Sequence, residues 1–329
     1  MIFDQILVLA SLTAYIAGAL ALLIYFLSRE TWAKRIGIPL AFFGCITQFV
    51  ELLVRWQVSQ IWPLTNLYGS LSLFAAMSVA IFLVFAVKYD LWAIGGFVQG
   101  LAAGFLAYGL TWNEGYLPPV PALQSYWIKI HVPLVVSSYA AFLVAFVLAC
   151  LYLLKYYFDR GLGSGGNVGM MRAAGATAGG AVDLGVRMQA AQPESAPRAI
   201  GVTRDGTNIA MAAAQGNALA LWLNTLPTLA KLDVMTYRVI AVGLPLLTVG
   251  VITGAMWAKE AWGAYWQWDP KETAALVCWI VYAAYMHVHT RNAWRGLRCS
   301  WIAVLGFGAI LFCYLGVNIW ISGLHSYKM

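Results

Sequence analysis

Apolar residues fill whole stretches of this chain, and short polar connections separate them. Eight runs are long enough to cross a bilayer, at about 5–27, 38–55, 67–87, 91–110, 132–156, 236–257, 273–290 and 299–322. A helix needs about 20 predominantly apolar residues to span the hydrocarbon layer. Inside lipid the backbone polar groups must bond within their own segment, so each run predicts an α-helix. The expected fold class is all-α, a polytopic membrane protein with about eight transmembrane helices. The first run carries Asp4 and lacks a basic start, so it reads as a retained span rather than a cleaved signal peptide.

One long segment breaks the pattern. Residues 161–216 are rich in Gly, Ala and Met and contain no aromatic residue. Such a stretch cannot bury much apolar surface, which predicts a disordered cytoplasmic linker and a tolerated insertion. The chain then divides into 1–158 with five spans, a linker over 159–221, and 222–329 with a short inner-surface helix and spans six to eight.

Composition and charge sharpen this picture. Apolar residues make up 62% and charged residues 10% of the chain, against roughly 45–50% and about 25% in soluble domains. The net charge of +7 comes from basic residues in short loops between spans, a membrane-topology signal and not a nucleic-acid footprint. The loops with Arg29, Lys34, Arg35, Lys88, Arg291, Arg295 and Arg298 are rich in Lys and Arg; the opposite side holds only Arg55, Lys129, Lys259, Lys271 and Lys328. The richer side is then cytoplasmic. Both termini face outward, as do loops at about 56–66, 111–131 and 258–272. The five cysteines form no C-x-x-C pair. That spacing excludes a disulfide framework and a zinc site, and the chain is not itself a c-type cytochrome.

The candidate chemistry lies in four histidines. His131 falls at the outer start of the fifth span and His325 just past the outer end of the eighth. Between them runs the outer loop WAKEAWGAYWQWDPKE, with Trp257, Trp262, Tyr265, Trp266 and Trp268. Gly263 permits a tight turn, and Asp269 before Pro270 marks a helix start. Two readings fit these residues. One is an interfacial aromatic belt with ordinary packing. The other is an aromatic shelf for a porphyrin whose iron takes imidazole ligands. Glu51 and Arg55 stand one helical turn apart and read as a buried pair. Arg55, Lys129, Lys259 and Lys271 are interfacial cations or partners for propionates. His287 and His289, near the inner end of the seventh span, are two residues apart and point in opposite directions, so they cannot share one metal.

The stretch WGAYWQWDPKETAALVCWIVYAAYMH resembles the tryptophan-rich WWD signature of haem-handling proteins. Its W-D-P-K-E-T form is similar to the CcsA (ResC) family of system II cytochrome c biogenesis. PLTNLYGSL at 63–71, LQSYWIKIHVPLVVSSYA at 123–140, LPTLAKLDVMTYR at 226–238 and GVNIWISGLHSY at 316–327 resemble the same family in the same order. The resemblance covers most of the chain beyond residue 60. It implies that His131 and His325 are axial ligands of a haem iron on the outer face. It implies that Trp262, Gly263, Trp266, Trp268 and Asp269 form the haem-binding loop. His287 fits the spacing of an inner haem ligand better than His289. The implied cargo is haem b and the implied activity is cytochrome c haem lyase or synthase, with no side-chain nucleophile. The implied partners are a CcsB/ResB-type membrane protein and an apocytochrome c bearing C-x-x-C-H. The implied location is the bacterial inner membrane, with the site facing the periplasm or outside.

Two other classes compete. A b-type electron-transfer subunit would pair histidines within the bundle, whereas His131 and His325 lie at its rim. A system I haem-export subunit shares a related Trp motif, but the W-D-P-K-E-T wording and eight spans argue against it.

Overall fold

The computed structural model of the protein describes residues 2–113, 115, 118, 120–177 and 226–321. The expected outer ligand His325 and linker residues 178–225 lie outside the described residues.

The described residues form helices and no strand. In chain order these are α1 (Ile2–Ser28), α2 (Thr31–Ser59), α3 (Leu67–Tyr89), α4 (Gly95–Leu110), α5 (Ile128–Thr177), α6 (Leu229–Trp262), α7 (Pro270–His289) and α8 (Leu297–Leu311). Short 3₁₀ turns at Trp92–Ile94 and Pro121–Gln124 precede α4 and α5. A π-helical turn, Phe312–Gly316, carries α8 into a final helical turn, Val317–Trp320. Taking α4 with its preceding 3₁₀ turn and α8 with the π-helical and final turns, seven of these segments are long and apolar enough to cross a membrane. The remaining expected span, α7, is a 20-residue helix. Lys271 and Glu272 at one end and His287 and His289 at the other lower its apolar character.

Helix ends follow local chemistry. Asn66 caps α3 by accepting the Gly69 N–H at 2.8 Å, satisfying a donor that the first turn cannot bond internally. At the start of α7, Asp269 and Glu272 form a reciprocal capping box with Pro270 in the first helical position.

Two boundaries differ from the hydropathy reading. The α5 backbone stays helical to Thr177, through the first part of the stretch expected to be a disordered linker. α6 begins at Leu229 and runs unbroken for 34 residues. The residues expected to form a separate inner-surface helix are therefore, from Leu229 on, the beginning of the membrane helix itself. Apolar runs mark the lipid-spanning part of a helix and not its polar extensions.

The chain divides into two units, one of residues 1–152 with 229–329 and one of 153–228. In the second, Lys155 Nζ donates to the Leu226 carbonyl at 3.4 Å. In the first, α1 packs along α2 and α4, and α7 packs on α6 and α8. The first part of α5 is deeply enclosed, with Val136, Tyr139–Ala145, Val147 and Leu148 all buried. Its Phe142 stacks face to face on Tyr282 of α7, with planes 6° apart.

Glu51 and Arg55 are both buried on one face of α2, as their spacing predicts. Their bonding is wider than a simple pair. Glu51 accepts from Tyr68 at 2.9 Å, and from Ser72 and Gln48 at 3.1 Å. The Arg55 guanidinium lies over the Tyr68 ring, 4.5 Å from its centroid. Buried ions in apolar surroundings require such donors and partners to hold their charge.

Candidate functional site

Two adjoining cavities open between α3, α5, α6 and α7. One has a volume of ≈ 550 Å³ and the other ≈ 620 Å³, both including their open mouths. His131, Val135, Tyr139, Trp257 and Lys271 line both, so His131 stands where the two meet.

The seat of His131 is built by α6. Its Nδ1 lies 2.7 Å from the Gly250 carbonyl oxygen. A carbonyl can only accept, so Nδ1 carries the proton and donates. Nε2 is then the nitrogen with a free lone pair, and among the described residues it makes no hydrogen bond. Fixing one imidazole nitrogen through a backbone carbonyl orients the other toward a metal. One turn on, a Cβ at Gly254 would lie 2.6 Å from His131 Cε1 and 2.8 Å from Nδ1. Only glycine leaves room there for the ring.

Trp257 backs the imidazole. The two rings are nearly parallel, 16° apart, with centroids 6.0 Å apart. The Trp257 indole N–H donates to the Ala122 carbonyl at 2.8 Å, and Ser125 donates to Glu260 at 2.8 Å. These bonds tie the turn before α5 to the end of α6. Leu123, Ile128 and Trp257 close into a small buried cluster, with Trp127, Val132 and Trp262 packed against it. The wall behind His131 is therefore rigid.

The Trp-rich loop divides by role. Trp266 and Tyr265 line the first cavity. Trp262 meets Trp257 edge-on at 4.7 Å and stands behind the wall. Trp268 is 69% exposed and touches Trp266 edge-on at 5.7 Å. Gly263 turns the chain with φ +83°, a conformation open to glycine at little cost, and its carbonyl accepts from Lys259 at 2.8 Å. Asp269 caps α7 and so aims Lys271 inward. Lys271 Nζ donates to Asn318 Oδ1 at 2.6 Å. Asn318 follows the π-helical turn, which also carries Tyr314 into the second cavity, where its hydroxyl bonds Ser70 at 3.0 Å. Single π-turns inside helices recur at functional sites because they re-aim side chains.

The inner pair separates as the two-residue spacing predicts. His289 is buried, with Nε2 3.1 Å from Asp233 Oδ2 and its ring stacked on Tyr237 and Tyr285. Asp233 also accepts the Gly296 N–H at 3.0 Å. This residue latches α6, α7 and the turn into α8. His287 is exposed on the other side of α7. Replacing His289 with Ala leaves Asp233 short of a buried partner, which costs about 1–3 kcal/mol. The expected result is reduced abundance of His289→Ala in the membrane and normal abundance of His287→Ala, read by immunoblot.

Of the expected outer-site residues, His131 and Trp266 reach the cavities, while Trp262, Gly263, Trp268 and Asp269 support or rim them. Gly250, Gly254 and Tyr139 were not singled out from the sequence. The G-V-I-T-G spacing at 250–254, two glycines on one helix face, is the signal that marks such a close approach.

The pattern of the cytochrome c assembly protein family matches residues 64–325. A cytochrome c biogenesis protein CcsA of Synechococcus elongatus is 37% identical over 277 residues, covering 83% of this chain and 81% of that protein. A CcsA of Parasynechococcus marenigrum is 34% identical over 320 residues, covering 94% of each. The fold is similar to that of a solved cytochrome c haem lyase CcmF, with a TM-score of 0.59 at 16% identity. That match covers 95% of this chain, which spans only 46% of that one. The chain belongs to the cytochrome c assembly protein family, as a relative of the CcsA proteins of cytochrome c biogenesis.

Proposed function

We propose that this protein holds haem b at its outer face and presents it for covalent attachment to an apocytochrome c, working with a CcsB/ResB-type partner. The observation that carries this reading is the seat of His131. Its Nδ1–H is committed to the Gly250 carbonyl, and its ring lines two adjoining open cavities beside Trp257 and Trp266. That donor set suits haem: one imidazole nitrogen for the iron and indole surfaces for the macrocycle. His325, from the sequence, supplies the second axial imidazole.

Attachment then needs little chemistry from the protein. Each thiol of C-x-x-C-H adds across a haem vinyl group. Sulfur bonds to the carbon next to the ring, and the thiol proton ends on the terminal carbon. No electron is gained or lost. The protein contributes a fixed porphyrin pose, which makes the addition effectively unimolecular. The apocytochrome's histidine can displace one axial imidazole and so register the thiols on the vinyl edge.

The test is co-expression with the partner and a reporter apocytochrome in cells lacking their own maturation system. Covalent haem in the reporter is the expected result. Haem-free reporter, with both membrane proteins present, would overturn the reading.

Two further expectations belong here. Ala264→Cys in the Trp loop should be labelled by a membrane-impermeant thiol reagent from outside intact cells; labelling only after inner-side access would reverse the topology. His287, exposed on α7, is assigned to an inner haem site shared with the partner. His287→Ala should lower haem captured from the cytoplasmic side several-fold at normal protein level. If haem per protein falls in His289→Ala and stays normal in His287→Ala, the two assignments exchange.

A further inference from the structure

Next to the His131 cavities lies a smaller pocket of ≈ 230 Å³ at the outer end of α2, to which the preceding reading gives no role. It shares Thr65 and Asn66 with the second cavity, so one turn of chain forms a wall of both. Its lining is rich in donors. Arg55 is 4% exposed, and its NH2 group, at the pocket wall, donates to Asn113 Oδ1 at 3.3 Å and to the Gly115 carbonyl at 3.1 Å. The indole N–H of Trp62 is buried and meets no acceptor among the described residues. That ring is held edge-on against Trp56, with centroids 5.1 Å apart and planes at 85°. Glu51, one turn before Arg55, already accepts from Tyr68, Ser72 and Gln48.

A buried donor without an acceptor is costly and points to a ligand that supplies one. A planar guanidinium beside it matches the fork of a carboxylate. The pocket is too small for a macrocycle but fits one carboxylate on a flexible arm reaching over from the neighbouring cavity. Haem carries two such arms on one edge.

We propose that this pocket seats a propionate carboxylate of the haem bound against His131, with Arg55 and the Trp62 indole N–H as its donors. The assignment rests on the haem reading above and adds the group recognised. Anchoring the propionate edge here turns the vinyl edge away from α2, which is the orientation attachment needs.

The experiment uses the full chain purified with its partner and stripped of haem, then offered haem or haem dimethyl ester, in which both propionates are esterified. Soret absorption reads both affinity and iron coordination. Wild type should bind haem at least about tenfold more tightly than the ester, the loss expected for hydrogen bonds to a charged group. Trp62→Phe keeps the ring and removes only the donor, and should lose most of that preference while its six-coordinate spectrum is unchanged. Arg55→Gln should abolish the preference, and Arg55→Lys should retain part of it. Equal affinity of wild type for haem and ester would mean that the pocket serves a free anion or none, and overturns the proposal. Wild-type preference persisting in both Trp62→Phe and Arg55→Gln overturns it as well. Failure of wild type to bind haem through histidine would instead sink the underlying site reading along with it.

Discussion

Replacing His131 with alanine is expected to lower covalent haem attachment by at least about 100-fold, and added imidazole to restore part of it. His131 is the one histidine among the described residues that lines the two cavities. Its Nδ1 is already committed to the Gly250 carbonyl, so the ring would offer a haem iron a single nitrogen in a fixed direction. Alanine removes that donor and leaves a space shaped for an imidazole against the Trp257 ring. A free imidazole has the same donor and nearly the same shape, so rescue tests the missing atom and not the fold. The loss corresponds to roughly 2.7 kcal/mol in the attachment step, in line with a positioning contribution. Pyridine haemochrome assay of a reporter cytochrome, with and without imidazole, measures it. Attachment at the wild-type level in His131→Ala would remove the assignment.

Gly254→Val should approach the effect of His131→Ala, although residue 254 carries no chemistry of its own. A Cβ there would lie 2.6–2.8 Å from the His131 ring atoms, well inside van der Waals contact. The ring cannot retreat without breaking its bond to Gly250, because α5 and α6 are both continuous helices here and cores yield little. The imidazole is therefore expected to turn out of its seat, where it could no longer ligate a haem iron. Haem retained per protein should fall by at least about tenfold at near-normal membrane abundance. A control isolates the cause: a Cβ at Gly250 meets Val135 at 2.7 Å and not the imidazole. Gly250→Ala should therefore disturb helix packing more than iron ligation. Equal haem content in Gly254→Val and wild type would show that His131 is not held as described.

Much of the fold was legible because membrane helices carry a strong signal. Twenty apolar residues in a row leave few alternatives, and each expected run overlaps an observed helix. Their extensions were not legible: α2 starts at Thr31 and α5 stays helical to Thr177, in residues that hydropathy alone assigns to loops. In the site, His131 could be found by its rarity and its place at a span end. The division of the tryptophans could not. It depends on a positive φ at Gly263 and at Trp268, and on the Asp269–Glu272 capping box. Those local turns decide that Trp266 points to the cavity and Trp268 away from it. The seat at Gly250 and Gly254 is not legible in the sequence for a related reason. Its meaning appears only when α5 lies across α6, a long-range fact that no local pattern states.

Ligation by His131 is read most directly from the coordination state of the iron in the complex purified with its partner. Magnetic circular dichroism of the ferric protein in the near infrared distinguishes two imidazole ligands from other axial pairs. Wild type is expected to hold a low-spin, bis-histidine haem. His131→Ala should give an iron with an open position, which returns to the bis-imidazole spectrum on adding imidazole. An unchanged six-coordinate bis-histidine spectrum in His131→Ala would contradict that ligation.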